Sequence, residues 1–286
     1  MKEEKNMDLK QETKQIMLQY GIYASKNLGQ NFLINEYIIE KIIDEANITQ
    51  KDLVIEIGPG LGNLTKHLLK RAGKVICIEL DSRMVSILKQ RFKSFFNFEI
   101  INEDILKVDL KKIIEKNNTM KVKVVANLPY YITTPIVMKL LEEKLSLESI
   151  TIMVQKEVAD RLTAICGKKN TGAITYTINY YTEPRKVVNV PSTDFIPEPK
   201  VNSSVIQLKI LPQPKVKVKN EEKFFKIIHY AFMQKRKTLL NTLTNAKILG
   251  DKKHVEEMLK NLDISPQIRA EKLTIEQFAK ISDYYD

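Results

Sequence analysis

The 286-residue sequence has no tryptophan, three histidines and only two cysteines, Cys77 and Cys166. Cys77 sits inside an apolar run and Cys166 beside Gly167, so neither a disulfide framework nor a cysteine metal site is available; no metal is expected, and a reducing cytosol fits. Long hydrophobic runs are missing as well. Nothing approaches the roughly 18 apolar residues that a spanning helix requires. The stretch from Met1 to Lys14 is polar and has no apolar signal core, so no membrane attachment is expected. Repeats and low-complexity tracts are also lacking.

Positive charge and apolar residues are plentiful. Lys and Arg number 46 against 35 acidic residues, a net charge of +11. Such a balance favours a polyanionic partner, although a Lys-rich solvated face would carry the same count. The apolar fraction of 43% at this length fills one large core and a smaller one.

From Lys51 onward, short β-branched runs alternate with helical segments, the pattern of a parallel sheet covered on both faces. Strands are predicted at Leu53–Ile57, Lys74–Leu80, Phe98–Ile101, Val122–Ala126 and Ile150–Val154, with Val187–Val190 and Val205–Ile210 as an edge hairpin. The loop joining the last two holds Pro191, Pro197 and Pro199, so it cannot be central sheet. Leu64, Leu68 and Leu69, then Val85, Leu88 and Phe92, then Ile136, Val137, Leu140 and Leu141 mark helix faces. Upstream, Asn35 is placed to cap a helix striped by Ile38, Ile39, Ile42 and Ile43. Past Leu211–Pro214 the strand signal stops and the chain reads as helical, with a capping box at Thr274 and Gln277. These elements predict an α/β first domain over 1–212, in which 1–21 is a polar N-terminal extension, and a small α-helical domain over 213–286.

Glu56-Ile-Gly58-Pro-Gly60-Leu-Gly62 follows the first strand and opens a helix. Such glycines let the backbone approach a ligand that faces the helix N-terminus. Glu79 ends the next strand about twenty residues on, where a carboxylate accepts the ribose hydroxyls of an adenosine-containing cofactor. A dinucleotide would use the same pair, but the G-x-G-x-G spacing departs from the pyrophosphate cradle. Asp104, after the third strand, is placed to accept an adenine amino group. Together these favour S-adenosyl-L-methionine over a tight turn with two surface acids.

Asn127-Leu128-Pro129-Tyr130 closes the fourth strand. The N6 amine of adenine is a poor nucleophile because its lone pair is delocalised into the ring. Two acceptors, the Asn127 side-chain oxygen and the Leu128 carbonyl, can take its hydrogens and favour a tetrahedral amine aimed at an activated methyl. Pro129 stiffens the turn and Tyr130 offers a stacking face for an extruded base. No strong base is needed, since the proton becomes acidic only after transfer. His67, His229 and His254 accordingly fall elsewhere. The plain alternative is a proline turn.

From about Lys26 to the C-terminus the chain resembles the ribosomal RNA adenine dimethyltransferase family, and within it the bacterial small-subunit enzymes. The resemblance is carried by Lys26-Asn-Leu-Gly-Gln-Asn-Phe-Leu33, Glu56 to Gly62, Asn127 to Tyr130, Gln155-Lys-Glu-Val-Ala-Asp-Arg161, Phe195-Ile-Pro-Glu-Pro-Lys-Val201 and Lys235-Arg-Lys-Thr-Leu239. It implies a Rossmann-like class I methyltransferase with a seven-stranded sheet and a small C-terminal helical domain. It also implies a cofactor site built from Asn31, Leu33, Gly58, Gly60, Glu79, Asp104 and Asn127, and a base site in which Phe195 opposes Tyr130. The implied reaction dimethylates two adjacent adenosines in a stem-loop near the 3′ end of small-subunit RNA during subunit assembly; a cytoplasmic monomer is expected.

Between Leu211 and Gly250 nine basic residues, among them Lys235, Arg236 and Lys237, face only Glu221 and Glu222, which suits phosphate contacts. One departure stands out. Where the family shows a Gly-x-Leu-Ser-Val run ending in Gln, this chain has Gly172-Ala-Ile-Thr-Tyr-Thr-Ile-Asn179. Three rival readings remain open: a large-subunit adenine methyltransferase conferring antibiotic resistance, a non-catalytic RNA-binding assembly factor, and a small-molecule methyltransferase. The last would have little use for the basic tail.

Overall fold

A computed structural model describes residues 7–23, 29–234 and 236–284. Among the described residues there are nine strands: β1 (Phe32–Leu33), β2 (Asp52–Ile57), β3 (Lys74–Glu79), β4 (Phe98–Asn102), β5 (Lys121–Asn127), β6 (Leu147–Gln155), β7 (Thr182–Val190), β8 (Phe195–Ile196) and β9 (Ser203–Ile210). Seven of them form one sheet in the order β4-β3-β2-β5-β6-β9-β7. The expected seven-stranded α/β architecture is therefore present. Strands β2 to β6 pair in parallel and β9 runs antiparallel to β6.

The parallel strands β3, β2, β5 and β6 lie inside the sheet and are mostly buried, whereas β4 is its half-exposed edge. All six residues of β2 are buried, and Leu53, Val54 and Ile55 have no exposed surface. Burying each such side chain contributes about 1.5–3 kcal/mol. Even the charge inside β5 is accommodated: the Lys123 ammonium donates to the Asn47 carbonyl at 2.7 Å and pairs with the buried Asp52 carboxylate at 3.1 Å. Strand order reverses between β2 and β5, so the carboxyl ends of β2, β3 and β5 open the crevice where doubly wound sheets bind ligands.

Packing divides the chain into two compact units, Met1–Ala159 with Arg185–Lys209, and Asp160–Pro184 with Ile210–Asp286. A single cut at 212/213 thus misses that Asp160–Pro184 belongs to the second unit. The reason is the helix Ala173–Tyr181. Its Tyr176 is fully buried, its hydroxyl donates to the Leu273 carbonyl at 2.6 Å, and its ring meets Phe278 edge-on. The departure from the family run lies on this helix, where Asn179 is buried and its Nδ2 donates to the Ala164 and Thr175 carbonyls. The helices Glu221–Met233, Leu239–Ala246, Lys252–Asn261 and Ile275–Asp283 complete the unit.

A second correction concerns residues 1–21. Leu9–Gln19 is a helix, N-capped by the Asp8 carboxylate, with Leu9, Thr13 and Ile16 buried. Three inward positions at i, i+4 and i+7 suffice to dock it, although the residues between them are Lys, Gln and Glu. Among the described residues no helix is long and apolar enough to cross a membrane.

Candidate active site

The carboxyl edge of the sheet holds a pocket of about 1120 Å³, counted out to its open mouth. The residues Asn31, Leu33, Gly58, Gly60, Glu79, Asp104, Asn127, Leu128, Pro129 and Tyr130 all line it. Segments far apart in sequence converge here because parallel strands deliver their final residues to one edge.

The floor is the turn between β2 and the helix Asn63–Arg71. Gly58 and Gly60 hold φ angles of +66° and +57°, where an L side chain is strained. Their surroundings differ. A Cβ on Gly58 would meet nothing within 4 Å, so its backbone faces open space, whereas one on Gly60 would lie 3.1 Å from the Phe32 ring. Gly58 therefore leaves a cradle that a ligand can fill, and Gly60 is the contact on which Phe32 rests.

Glu79 ends β3 and is nearly buried. Its two carboxylate oxygens accept from the Asp81 amide at 2.8 Å and the Gly60 amide at 3.2 Å. Burial nonetheless pushes its carboxyl above the ordinary carboxylate range. Each oxygen keeps a second lone pair for a ligand hydroxyl. Asp104 turns the chain after β4, with its Oδ1 accepting from the Leu106 amide at 3.0 Å.

Asn127 closes β5. Its Nδ2 donates to the Asn31 carbonyl at 3.0 Å. A carbonyl only accepts, so this bond fixes the amide's orientation and leaves Oδ1 as the end with acceptor capacity. The Pro129 carbonyl accepts from the Ile132 amide and the Thr133 hydroxyl, which locks the following turn. The Tyr130 phenol shares a 2.8 Å hydrogen bond with Ser203 Oγ, and burial pushes its pKa up. The ring is thus held by its hydroxyl, and the phenol is no base at neutral pH.

The strap that carries Asn31 and Leu33 is pinned at several points. Leu33 pairs with Phe195 and Phe32 with Ile196. The Ile34 amide donates to the Asp194 carbonyl at 2.8 Å, and Asn35 Nδ2 donates to the Asp194 carboxylate at 3.0 Å. This pairing places the Phe195 backbone against the strap. Its side chain is only 3% exposed, packs in the main core and is not among the pocket's lining residues.

Two further pocket residues were given no role by the sequence reading. Glu56 lies buried beneath the glycine turn, where its Oε2 accepts from the Thr65 hydroxyl at 2.6 Å, and burial raises its carboxyl to about 7. Asn63, the first residue of the next helix, lines the pocket and is itself nearly buried. Neither type carries a distinctive signal at its position; the glycines around them drew the attention. In the second unit Arg236 and Lys237 are exposed beside the turn that closes Glu221–Met233. Lys235 lies outside the described residues.

Comparison with known proteins adds three findings. The family model described as Ribosomal RNA adenine dimethylase matches residues 23–286. A ribosomal RNA small subunit methyltransferase A from Alkaliphilus oremlandii is 47% identical over 272 residues, covering 95% of each chain. Among solved structures, a dimethyladenosine transferase from Plasmodium falciparum superposes with a TM-score of 0.74 at 31% identity, covering 87% of this chain and 95% of that one. The 23S rRNA methyltransferase ErmE superposes with a TM-score of 0.69 at 25% identity, covering 88% of this chain and 98% of that one.

Proposed function

The chain belongs to the ribosomal RNA adenine dimethylase family, and from that premise we propose that it N6,N6-dimethylates two adjacent adenosines in a stem-loop near the 3′ end of small-subunit ribosomal RNA. The observation that carries the chemistry is the oriented amide of Asn127, tied through Nδ2 to Asn31 with its oxygen left to accept.

The cofactor is S-adenosyl-L-methionine, which supplies a methyl group made electrophilic by its sulfonium. The pocket fits it: Gly58 leaves an open cradle, and two carboxylates stand at the ends of neighbouring strands. Glu79 would hold the ribose hydroxyls and Asp104 the adenine amino group, with Asn31 and Leu33 closing over them. Asn127 Oδ1 and the Leu128 carbonyl accept the two hydrogens of the target N6, which draws its lone pair out of conjugation and aims it along the transfer direction. Tyr130, fixed by Ser203, stacks on the flipped base. After transfer the acidified N–H already points at an oxygen, so water removes the proton without a dedicated base.

The same reading assigns Arg236, Lys237 and Lys235 to phosphate contacts that position the RNA. It makes the first unit the catalytic domain and the second the RNA-binding one. The partner is an assembling small subunit in the cytoplasm, met by a monomer.

Undermethylated small subunits incubated with the protein and methyl-labelled cofactor test the reading. Mass analysis should find dimethyladenosine at two neighbouring positions of the small-subunit RNA. Label appearing in large-subunit RNA instead, or in neither, defeats the assignment.

A further inference from the structure

Three kinds of contact tie the helix Leu9–Gln19 to the wall of the pocket. Ile16 packs in one buried cluster with Phe32 of the strap and Leu61 of the glycine turn. Glu12 pairs with Lys66 and with Arg91, both at 2.8 Å, and the largely buried Arg91 guanidinium donates to the Leu61 carbonyl. Between these lies Asn63. Its Nδ2 has two hydrogens and both are used, one on Thr13 Oγ1 at 2.9 Å and one on the Leu33 carbonyl at 2.8 Å.

The direction of this chain of bonds is set. Thr13 donates its own hydrogen to the Leu9 carbonyl at 2.7 Å, so toward Asn63 it can only accept. Asn63 holds this orientation although its Oδ1 is buried without a hydrogen-bond partner among the described residues. Flipping the amide would face that oxygen with the Leu33 carbonyl and lose the donor on which the strap hangs.

We infer that the helix Leu9–Gln19 is a clasp on the cofactor strap, in which Thr13 and Asn63 are positioning residues that hold Leu33, and with it Asn31, over the glycine turn. Neither need touch the reacting atoms. Both act through Leu33, two residues along the strap from Asn31, whose carbonyl in turn orients Asn127. The clasp sets how tightly the cofactor is retained, because a strap released at Leu33 loses the hydrogen bond that ties it to the floor of the pocket. The inference rests on the reading of this pocket as the cofactor site.

Calorimetric titration of the full chain with S-adenosylhomocysteine tests it, alongside kcat and the cofactor KM on undermethylated subunits and a thermal melt without ligand. Asn63→Ala is expected to weaken binding about tenfold, as loss of a hydrogen bond between buried groups does. Thr13→Val, which keeps the volume but removes the acceptor, should weaken it severalfold, and Thr13→Ser should restore it. The cofactor KM should follow the binding constant, while kcat at saturating cofactor moves far less. Should Asn63→Ala prove too unstable to purify, the Thr13 pair decides alone, with Glu12→Gln expected to weaken binding in the same sense. Variants that melt lower yet bind as the wild type does would reduce the helix to a structural brace and overturn the clasp. Wild-type protein that fails to bind S-adenosylhomocysteine would instead remove the cofactor reading beneath it.

Discussion

Asn127 Nδ2 lies 3.0 Å from the carbonyl oxygen of Asn31, ninety-six residues away in sequence. The contact makes the catalytic amide one-sided: its nitrogen is committed to the strap, and only its oxygen can serve the substrate amine. Asn127→Asp keeps the shape but has no hydrogen to give, so a carboxylate would confront the Asn31 carbonyl. Both Asn127→Ala and Asn127→Asp should therefore lower single-turnover methylation of undermethylated subunits by about a hundredfold to a thousandfold, the cost of removing a preorganised polar group from a reacting centre. An Asp variant retaining near wild-type rates would show that the amide orientation is irrelevant.

Gly60 couples the floor of the pocket to its cover. An Ala there meets Phe32 at 3.1 Å and holds a φ of +57°, a conformation that costs roughly 1–2 kcal/mol for a residue with a Cβ. Gly60→Ala should lower the denaturation free energy by about that amount. It should also weaken S-adenosylhomocysteine binding, because Phe32 carries the strap. Ala at Gly58 has the same backbone strain but no neighbour to push, so its effect on the strap should be absent. Equal losses of Phe32 packing in the two variants, read by proteolysis of the segment around Phe32, would contradict the distinction.

What was legible from sequence follows from how local each signal is. The strands β2, β3, β5 and β6 announce themselves because a strand buried on both faces must be a short apolar run. Asn35 and Thr274 were readable as caps because a cap is a contact within three residues, and both bonds are present. Gly58, Gly60, Glu79, Asp104 and Asn127 were found through glycines and strand ends, whereas Asn31 and Leu33 were named only through the family resemblance. Contacts set by topology left no such trace. Thr13 looks like one more polar residue in a polar stretch until Asn63 is brought to it. The pairing of Phe195 with Leu33 likewise appears only once β8 meets β1. The helix Ala173–Tyr181 sits between strand segments in sequence, yet Tyr176 needs Leu273 and Phe278, and only packing reveals it as part of the second unit.

Glu56 makes stability depend on pH in a direction opposite to that of a salt-bridged carboxylate. Burial holds its carboxyl at about 7 against an ordinary 4.5. The folded state therefore binds a proton more tightly than the unfolded chain. Stability is complete below about pH 4.5, falls as the pH rises toward about 7, and levels above it, by at most about 3 kcal/mol from this group. Glu79, also raised by burial, acts in the same sense. Glu56→Gln keeps an oxygen for the Thr65 hydroxyl and removes the titration. Urea denaturation at pH 5, 6, 7 and 8 should show the wild type losing stability across the series and the Gln variant losing less. A variant with an undiminished slope would place the titration elsewhere.

The basic surface of the second unit makes a quantitative claim about salt. Arg236 and Lys237 are exposed beside the turn after Glu221–Met233, so they face solvent. If they hold phosphates, binding releases counterions, and log K falls linearly with log salt, steepened by about 0.7 to 0.9 for each contact. Arg236→Ala and Lys237→Ala should each weaken binding to small-subunit RNA and make that slope shallower by about this amount, together by about twice as much. Their affinity for S-adenosylhomocysteine should stay unchanged, since the residues lining the pocket all come from the first unit. Filter binding between 50 and 200 mM salt, roughly the range over which such contacts lose most of their strength, reads the slope directly. Variants that bind more weakly with an unaltered slope would point to a structural role for the turn. Unaltered binding would return these cations to the solvated face that composition alone allows.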